Sequence, residues 1–352
     1  MSTKNFEKIL VSIIILNYNG EKFLKNCLDS ILKETDYDFE LIVVDNDSPD
    51  KSGEYFSNKY PQCKFILNKK NLGVSEGLNV GIKNAKGNYI VLLNNDLVVA
   101  PKWLNHIFDA FKKHGSGLYQ PKFLKMKDNS IIDSTGNLIN IFGFGFSREK
   151  GKKDRLQHEE IEEIGFAAGT CLFCPKEVFD KVGLFDEKFF AYNEDLDLGW
   201  RAKLQNFRSF YVPKSIVYHY GSAQWKWSGE KFYLLERNRW LTLLSNYNTK
   251  TILKLFPSLI IIEIALLVFF TKKGLLSKKL RSYGGIILMY NHIKNRRKDV
   301  GKLRKINDDE IIKTFCCTIE APLEVSEEGN IEKFNKLLSI LCGFVGFKKG
   351  GN

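Results

Sequence analysis

The chain has 352 residues, 44% of them hydrophobic and 27% charged, and a formal net charge of +12. That length suits one large core with an appendage or two domains, and the composition is that of a globular protein. Residues 1–249 hold 34 Lys/Arg against 31 Asp/Glu, residues 250–305 hold 14 against 2, and residues 306–352 hold 5 against 8. A surplus confined to one segment argues against a chain that coats nucleic acid throughout, and for one local anionic partner. The seven cysteines suggest no disulfide framework. Cys171 and Cys174 form a lone C-x-x-C without a second pair at zinc spacing, and read as small apolar residues on a buried strand in a reducing compartment. Ile9–Leu16 is too short, and lacks the cleavage site, for a signal peptide.

In chain order, Ile9–Leu16 is a run of β-branched and apolar residues, as expected of a strand buried on both faces. Glu21–Lys33 has helical apolar spacing, and Phe39–Val44 reads as a second buried strand. A helix, a short strand over Lys64–Leu67, a helix to about Lys86 and a strand over Tyr89–Leu93 follow. Strand alternating with helix predicts an α/β fold with a mostly parallel sheet and helices on both faces. The clusters Asn17-Tyr18-Asn19, Asp45–Ser48, Asn71-Leu72-Gly73 and Asn94-Asn95-Asp96 fall at strand ends or just after them. In such sheets ligands bind beyond the carboxyl ends of the strands, so the four clusters are expected to share one site. There is no glycine cradle for phosphates, so a bound diphosphate needs another counter-charge. Asp96 and His219 are the pair expected to hold Mn²⁺ or Mg²⁺ for that purpose, Mn²⁺ tolerating the nitrogen better.

Between Lys122 and Gly165 the pattern weakens and reads as an insertion over the site. Phe189–Lys203 then places Glu194, Asp195 and Asp197 at the start of a helical pattern. Like charges so close are costly, and a helix N-terminus offsets part of the cost. Glu194 and Asp195 are therefore expected to be ionised at the helix mouth, walled by Phe189, Phe190, Tyr192 and Trp200, with Asp195 a candidate general base.

Five stretches, VSIIILNYNG, ELIVVDNDS, NLGVSEGLNVGIKNAKGNYIVLLNND, GLFDEKFFAYNEDLDLGWRA and VYHYG, together resemble the family 2 glycosyltransferases over about residues 9–245. The subgroup most similar is that of rhamnosyltransferase-like and galactofuranosyltransferase-like enzymes of cell-surface glycan assembly. The resemblance implies the nucleotide-diphospho-sugar transferase (GT-A) fold over residues 1–249. It implies that Tyr18 stacks on the nucleotide base between Asn17 and Asn19, and that Asp45 bonds the base or ribose. Asn71, Gly73 and Asn79 fall near the diphosphate and sugar by the same comparison. Asn94-Asn95-Asp96 takes the place of the family's metal-holding Asp-x-Asp, with Asn94 in place of its first acid. Asp195 matches the catalytic base with Glu194 before it, and His219 the metal-binding histidine. Glu194, Trp225, Arg237 and Arg239 are candidate contacts to acceptor or diphosphate. The implied reaction is an inverting single displacement from a dTDP- or UDP-sugar onto a glycan or polyprenyl-diphosphate-linked hydroxyl.

Residues 250–305 read as a separate basic, apolar, helical segment. Leu259–Phe270 is shorter than the ~20 residues of a membrane span and carries Glu263. Short apolar stretches flanked by Lys/Arg predict an in-plane anchor on an anionic membrane surface, at the cytoplasmic inner face. The alternative is a subdomain packed on the catalytic part or on a second copy in a homo-oligomer. Residues 306–352 form a tail with a helical pattern at Ile331–Leu341. Rival readings are a sugar-1-phosphate nucleotidyltransferase and a degenerate nucleotide- or lipid-binding protein. Nucleic acid is disfavoured because the basic residues flank apolar runs instead of alternating with aromatics.

Overall fold

A computed structural model describes residues 10–221, 228–321 and 328–346. The first half alternates β1 (Leu10–Asn17), α1 (Leu24–Glu34), β2 (Asp38–Asp45), α2 (Ser52–Lys59), β3 (Lys64–Leu67), α3 (Gly73–Lys83) and β4 (Tyr89–Asn94). From Val11 to Asn17 every residue of β1 is buried, because helices cover both faces of the strand and its β-branched side chains fill the two layers. The strands run parallel in the order β3-β2-β1-β4. Register pairs Asn17 with Asp45, Asp45 with Leu67 and Leu16 with Asn94, so the polar strand ends line one edge.

The chain continues through β5 (Leu97–Val99), α4 (Trp103–His114), β6 (Gly117–Lys125), β7 (Asp128–Ser134), β8 (Asn137–Ile139), β9 (Gly145–Ser147) and β10 (Glu162–Ile164). After these come β11 (Cys171–Pro175), α5 (Lys176–Val182), α6 (Glu194–Leu204) and β12 (Arg208–His219). The full sheet has the order β10-β12-β6-β11-β4-β1-β2-β3, with β5 on β12 and β7 on β6. β11 is antiparallel to both β4 and β6, so the sheet is mixed. The stretch 122–165 is therefore no loose insertion. β6 and β7 belong to the main sheet, β8 and β9 pair with each other, and Ile132, Ile139, Phe142 and Ile164 are buried. Strands of three residues carry too little periodicity to show in the sequence.

The last third holds α7 (Gly229–Asn246), α8 (Thr249–Lys272), α9 (Leu276–Leu288), α10 (Tyr290–Leu303), α11 (Asp308–Ile312) and α12 (Glu328–Phe344). One apolar core joins Leu196, Trp200 and Leu204 of α6 to Leu259 and Ile262 of α8 and to Leu338 and Leu341 of α12. The divisions at 249/250 and 305/306 thus do not separate cores. Cys317 and Cys342 form a disulfide, against the expectation of unpaired cysteines, while Cys171 and Cys174 are free and buried on β11. Glu263, which interrupts the apolar run of α8, faces inward onto Arg239, Lys279 and the Tyr283 hydroxyl.

Candidate active site

At the sheet edge the expected donor-binding residues do come together, and most of them are tied to one another. Asn17 Nδ2 donates to Asp45 Oδ1 at 2.7 Å and to Ser52 Oγ at 2.9 Å, and Asn17 Oδ1 accepts from Asn95 Nδ2 at 2.7 Å. Asp45 also accepts from the Ser48 N–H and hydroxyl. Asn17 and Asp45 are buried, while Tyr18 and Asn19 are partly exposed beside them. Asn71 accepts from Asn46 Nδ2 and from the Gly73 N–H, which fixes the start of α3. Gly73 has φ +78, and a Cβ there would stand 2.5 Å from Phe190, so the position requires glycine. Asn79 does not join the cluster: its amide group donates to the Phe185 carbonyl and accepts from the Phe185 N–H. Asn46 and Ser48 fall within the second polar cluster expected at this edge, while Ser52, just after it, was not singled out from sequence.

β5 pairs Leu97 with His219 and so carries the neighbouring Asp96 to the end of β12. His219 Nε2 lies 3.3 Å from Asp96 Oδ2, and Nδ1 lies 2.8 Å from Asp133 Oδ2. Burial works against a charge on His219, but the bonds to Asp133 and Asp96 outweigh it and raise the imidazole to about 9. Asp133, itself paired with Lys150, is held well below the usual carboxylate range despite its burial. The donor set fits a divalent ion: a carboxylate and an imidazole face each other, and a second carboxylate orients the ring through its other nitrogen. Among the described residues no group of three or more His, Cys, Asp or Glu is gathered for a metal, and Asp96 and His219 are the pair that faces inward there. Asp133 was missed because it lies in the stretch whose strands are illegible in the sequence.

The acidic turn opens α6. Asn193 precedes it in the left-handed conformation at φ 65. Asp195 is partly exposed; its Oδ2 accepts from the Gly169 N–H at 3.0 Å and its Oδ1 from the Leu196 N–H at 2.8 Å. Burial raises its carboxyl above the ordinary value, and those two N–H groups resist the rise. Thr170, next to Gly169, accepts from the Asn94 N–H through its carbonyl at 3.0 Å. Two adjacent residues thus join Asp195 to the end of β4. Glu194 is buried, its Oε2 lacks a hydrogen-bond partner, and burial together with the Asp195 charge pushes it up to about 8. The expectation of two ionised acids is corrected: the helix terminus does not offset the desolvation of both, and burial favours the protonated form of Glu194. Trp200 does not wall the acids; it packs away from them between Tyr247 and Phe315. The third acid differs again. Asp197 is ion-paired with Arg201 and Arg296, and those charges, against its burial, bring it down to about 2.

The two arginines expected to touch ligand are committed elsewhere. Arg237 donates to the Lys188 and Phe189 carbonyls. Arg239 is 1% exposed and ion-paired with Glu236 and Glu263. The residue between them does the positioning. Asn238 Nδ2 lies 3.0, 2.8 and 2.7 Å from the carbonyls of Phe189, Ala191 and Tyr192. Phe190, Tyr192 and Asn193 all have positive φ, a costly arrangement for side-chain-bearing residues, and Asn238 holds it shut. The Phe190 carbonyl in turn accepts from the first N–H groups of α3. Trp225 lies outside the described residues.

Residues 12–183 match the model of glycosyl transferase family 2, a stretch that ends before Glu194 and His219. An uncharacterized glycosyltransferase of Rickettsia prowazekii is 32% identical over 56% of this chain and 60% of its own length. The N-acetylglucosaminyl-diphospho-decaprenol L-rhamnosyltransferase of Mycobacterium tuberculosis is 23% identical over 60% of this chain and 76% of its own. A hexosyltransferase of low-salt glycan biosynthesis from Haloferax volcanii is 26% identical over 56% of this chain and 62% of its own. The chain thus spans about 60% of the Rickettsia and Haloferax relatives. The structure of GalNAc-T7 with UDP, GalNAc and Mn2+ superposes with a TM-score of 0.55 at 19% identity, over 68% of this chain and 48% of that one. At that identity the likeness shows the fold alone, the GT-A type. Over residues 12–183 this chain is similar to the glycosyl transferase family 2 domain.

Proposed function

We propose that the chain is an inverting glycosyltransferase that moves a sugar from a nucleotide-diphospho-sugar, a dTDP- or UDP-sugar, to a hydroxyl of a glycan or polyprenyl-diphosphate-linked acceptor. The observation that carries this is the bridge Asp195–Gly169–Thr170–Asn94, which sets a partly exposed carboxylate beside the strand edge that begins the Asn94–Asp96 turn. Asp195 accepts the proton of the acceptor hydroxyl. Its raised pKa makes it a stronger base than an ordinary carboxylate. Glu194, kept neutral, adds no second negative charge where the sugar leaves an anion. Gly169 holds the Asp195 oxygen through its N–H, and Asn238 holds the loop that delivers the acid pair. Tyr18, partly exposed at the edge, stacks on the nucleotide beside Asn19, while Asn17 and Asn95 brace the edge. When bound, a divalent ion held by Asp96 and His219 supplies charge compensation for the departing diphosphate.

The lipid-linked acceptor is supported by the rhamnosyltransferase relative, whose own name carries a diphospho-decaprenol substrate. Such an acceptor puts the work at the cytoplasmic inner face of the cell membrane. The test is Asp195→Asn. Transfer from a dTDP- or UDP-sugar falls by about 100-fold or more, the scale of a lost general base, while nucleotide binding is retained. Near-native transfer by that variant overturns the assignment.

A further inference from the structure

Helix α8 has two unlike faces. One carries Leu255, Leu259, Ile262 and Leu266 into the core shared with α6 and α12, and Phe270 is buried further along the same helix. The other carries Leu253, Phe256, Ile260, Ile264 and Val268, spaced 3, 4, 4 and 4 residues apart in one stripe and each 45–66% exposed. Exposed Lys250 and Lys254 stand at one end of the stripe and exposed Lys272 and Lys273 at the other. Leu280 and Ile287 of the next helix, α9, are also exposed. Exposed to water, such a face is costly, and soluble chains rarely keep one without an occupant.

We infer that the exposed face of α8, with α9 beside it, is a docking surface that lies flat in the interface of an anionic lipid leaflet. By length and hydropathy α8 passes for a membrane span. Two observations exclude that role here: its other face is part of the protein core, and Glu263 is ion-paired inward with Arg239 and Lys279. A helix with one face in protein and one apolar face outward seats that face among headgroups and upper acyl chains. The lysines at both ends choose the lipid over a second copy. In a two-fold dimer through this face, parallel or antiparallel, lysines at one end meet lysines of the partner at whichever end they align with, and like charges repel. Anionic headgroups answer both ends at once.

The structure also narrows which of the basic residues can serve. Lys279 is buried against Glu236 and Glu263, Arg296 is held by Asp197 and Asp186, and Arg304 by Asp308. These hold the helices on the protein; the exposed lysines are left for the lipid.

The surface goes beyond the transferase proposal and does not depend on it. The test is cosedimentation of the full chain, at low salt, with vesicles of phosphatidylcholine alone and of phosphatidylcholine mixed with phosphatidylglycerol. The wild type pellets with the mixed vesicles and far less with the neutral ones. Ile260→Glu/Ile264→Glu stays in the supernatant with both, at unchanged circular dichroism and Tm, because both positions are exposed. Lys272→Gln/Lys273→Gln weakens binding to the mixed vesicles by about 10- to 30-fold, on the scale expected for two interfacial lysines. The inference is overturned if the wild type ignores the mixed vesicles, if the glutamate variant still binds them, or if the wild type is a dimer in solution that the glutamate variant dissociates. Vesicle binding in a chain that binds no nucleotide sinks the transferase proposal and leaves this surface standing.

Discussion

At the carboxyl ends of β1, β2 and β4 the polar side chains answer one another: Asn17 alone bridges Asp45, Ser52 and Asn95. At the start of α6 they do not: Glu194 has a buried oxygen without a partner, and Asp195 leans on two backbone N–H groups. Both regions are rich in Asn, Asp and Glu, and sequence alone treats them alike. The difference is in how completely each is satisfied. A saturated network is a scaffold, because its donors and acceptors are already used. An unsatisfied, desolvated acid pair is held in a state that costs stability, and such costs persist where chemistry needs them. Within the acidic turn itself, Asp197 belongs with the scaffold and its two neighbours do not.

Four substitutions sharpen or break this contrast. The largest loss of stability is expected from Arg296→Met. It leaves Asp186 and Asp197 short of a buried cation and costs about 3–5 kcal/mol, read as a lowered midpoint in denaturant. Its effect has a pH signature. The depressed pKa of Asp197 contributes stability above the ordinary carboxylate range, and that contribution is lost as pH falls towards about 2. The variant and the wild type therefore converge in acid.

Asn238→Ala should act on catalysis more than on folding. Freeing three loop carbonyls lets the acid pair shift, and a misplacement of about 1 Å costs roughly 100-fold in kcat with little change in nucleotide affinity. A variant whose nucleotide affinity falls in step with kcat would place Asn238 in donor binding instead. Asn17→Ala tests the scaffold: loss of about 1–3 kcal/mol of stability, measured by denaturant, from leaving buried partners unanswered.

The smallest effect runs the other way. Glu194 holds its proton more tightly folded than unfolded, so the fold loses stability as pH rises from the carboxylate range through about 8. Gln carries no such charge. Glu194→Gln should raise Tm by a few degrees at about pH 9 and hardly change it at about pH 5. A lower Tm at the higher pH would show that Glu194 is ionised and paired.

The scaffold was the legible part. β1, β2 and β4 stand out because strands buried on both faces are unbroken runs such as Ile13-Ile14-Ile15, and their polar ends mark the edge. What stayed hidden depends on contacts between distant stretches. Asp133 reaches His219 only because β7 pairs with β6 and β6 with β12. Asn238 sits between two arginines whose charge drew the eye, and its three partners lie 46–49 residues away. Glu263 looked like a flaw in an apolar run, and its cations come from α7 and α9. The state of Glu194 was out of reach for the same reason: desolvation belongs to the packed molecule and not to the local sequence.

The most direct test of the central claim is the melting temperature of the full chain with UDP, dTDP, GDP or CDP, each with and without Mn²⁺. A ligand that binds only the folded chain must raise it. A nucleotide-sugar transferase with the Asp96–His219 pair as its ion site predicts a rise with UDP or dTDP, a larger rise with Mn²⁺ present, and loss of the Mn²⁺ increment in Asp96→Asn. No rise with any of the four at millimolar concentration would contradict it.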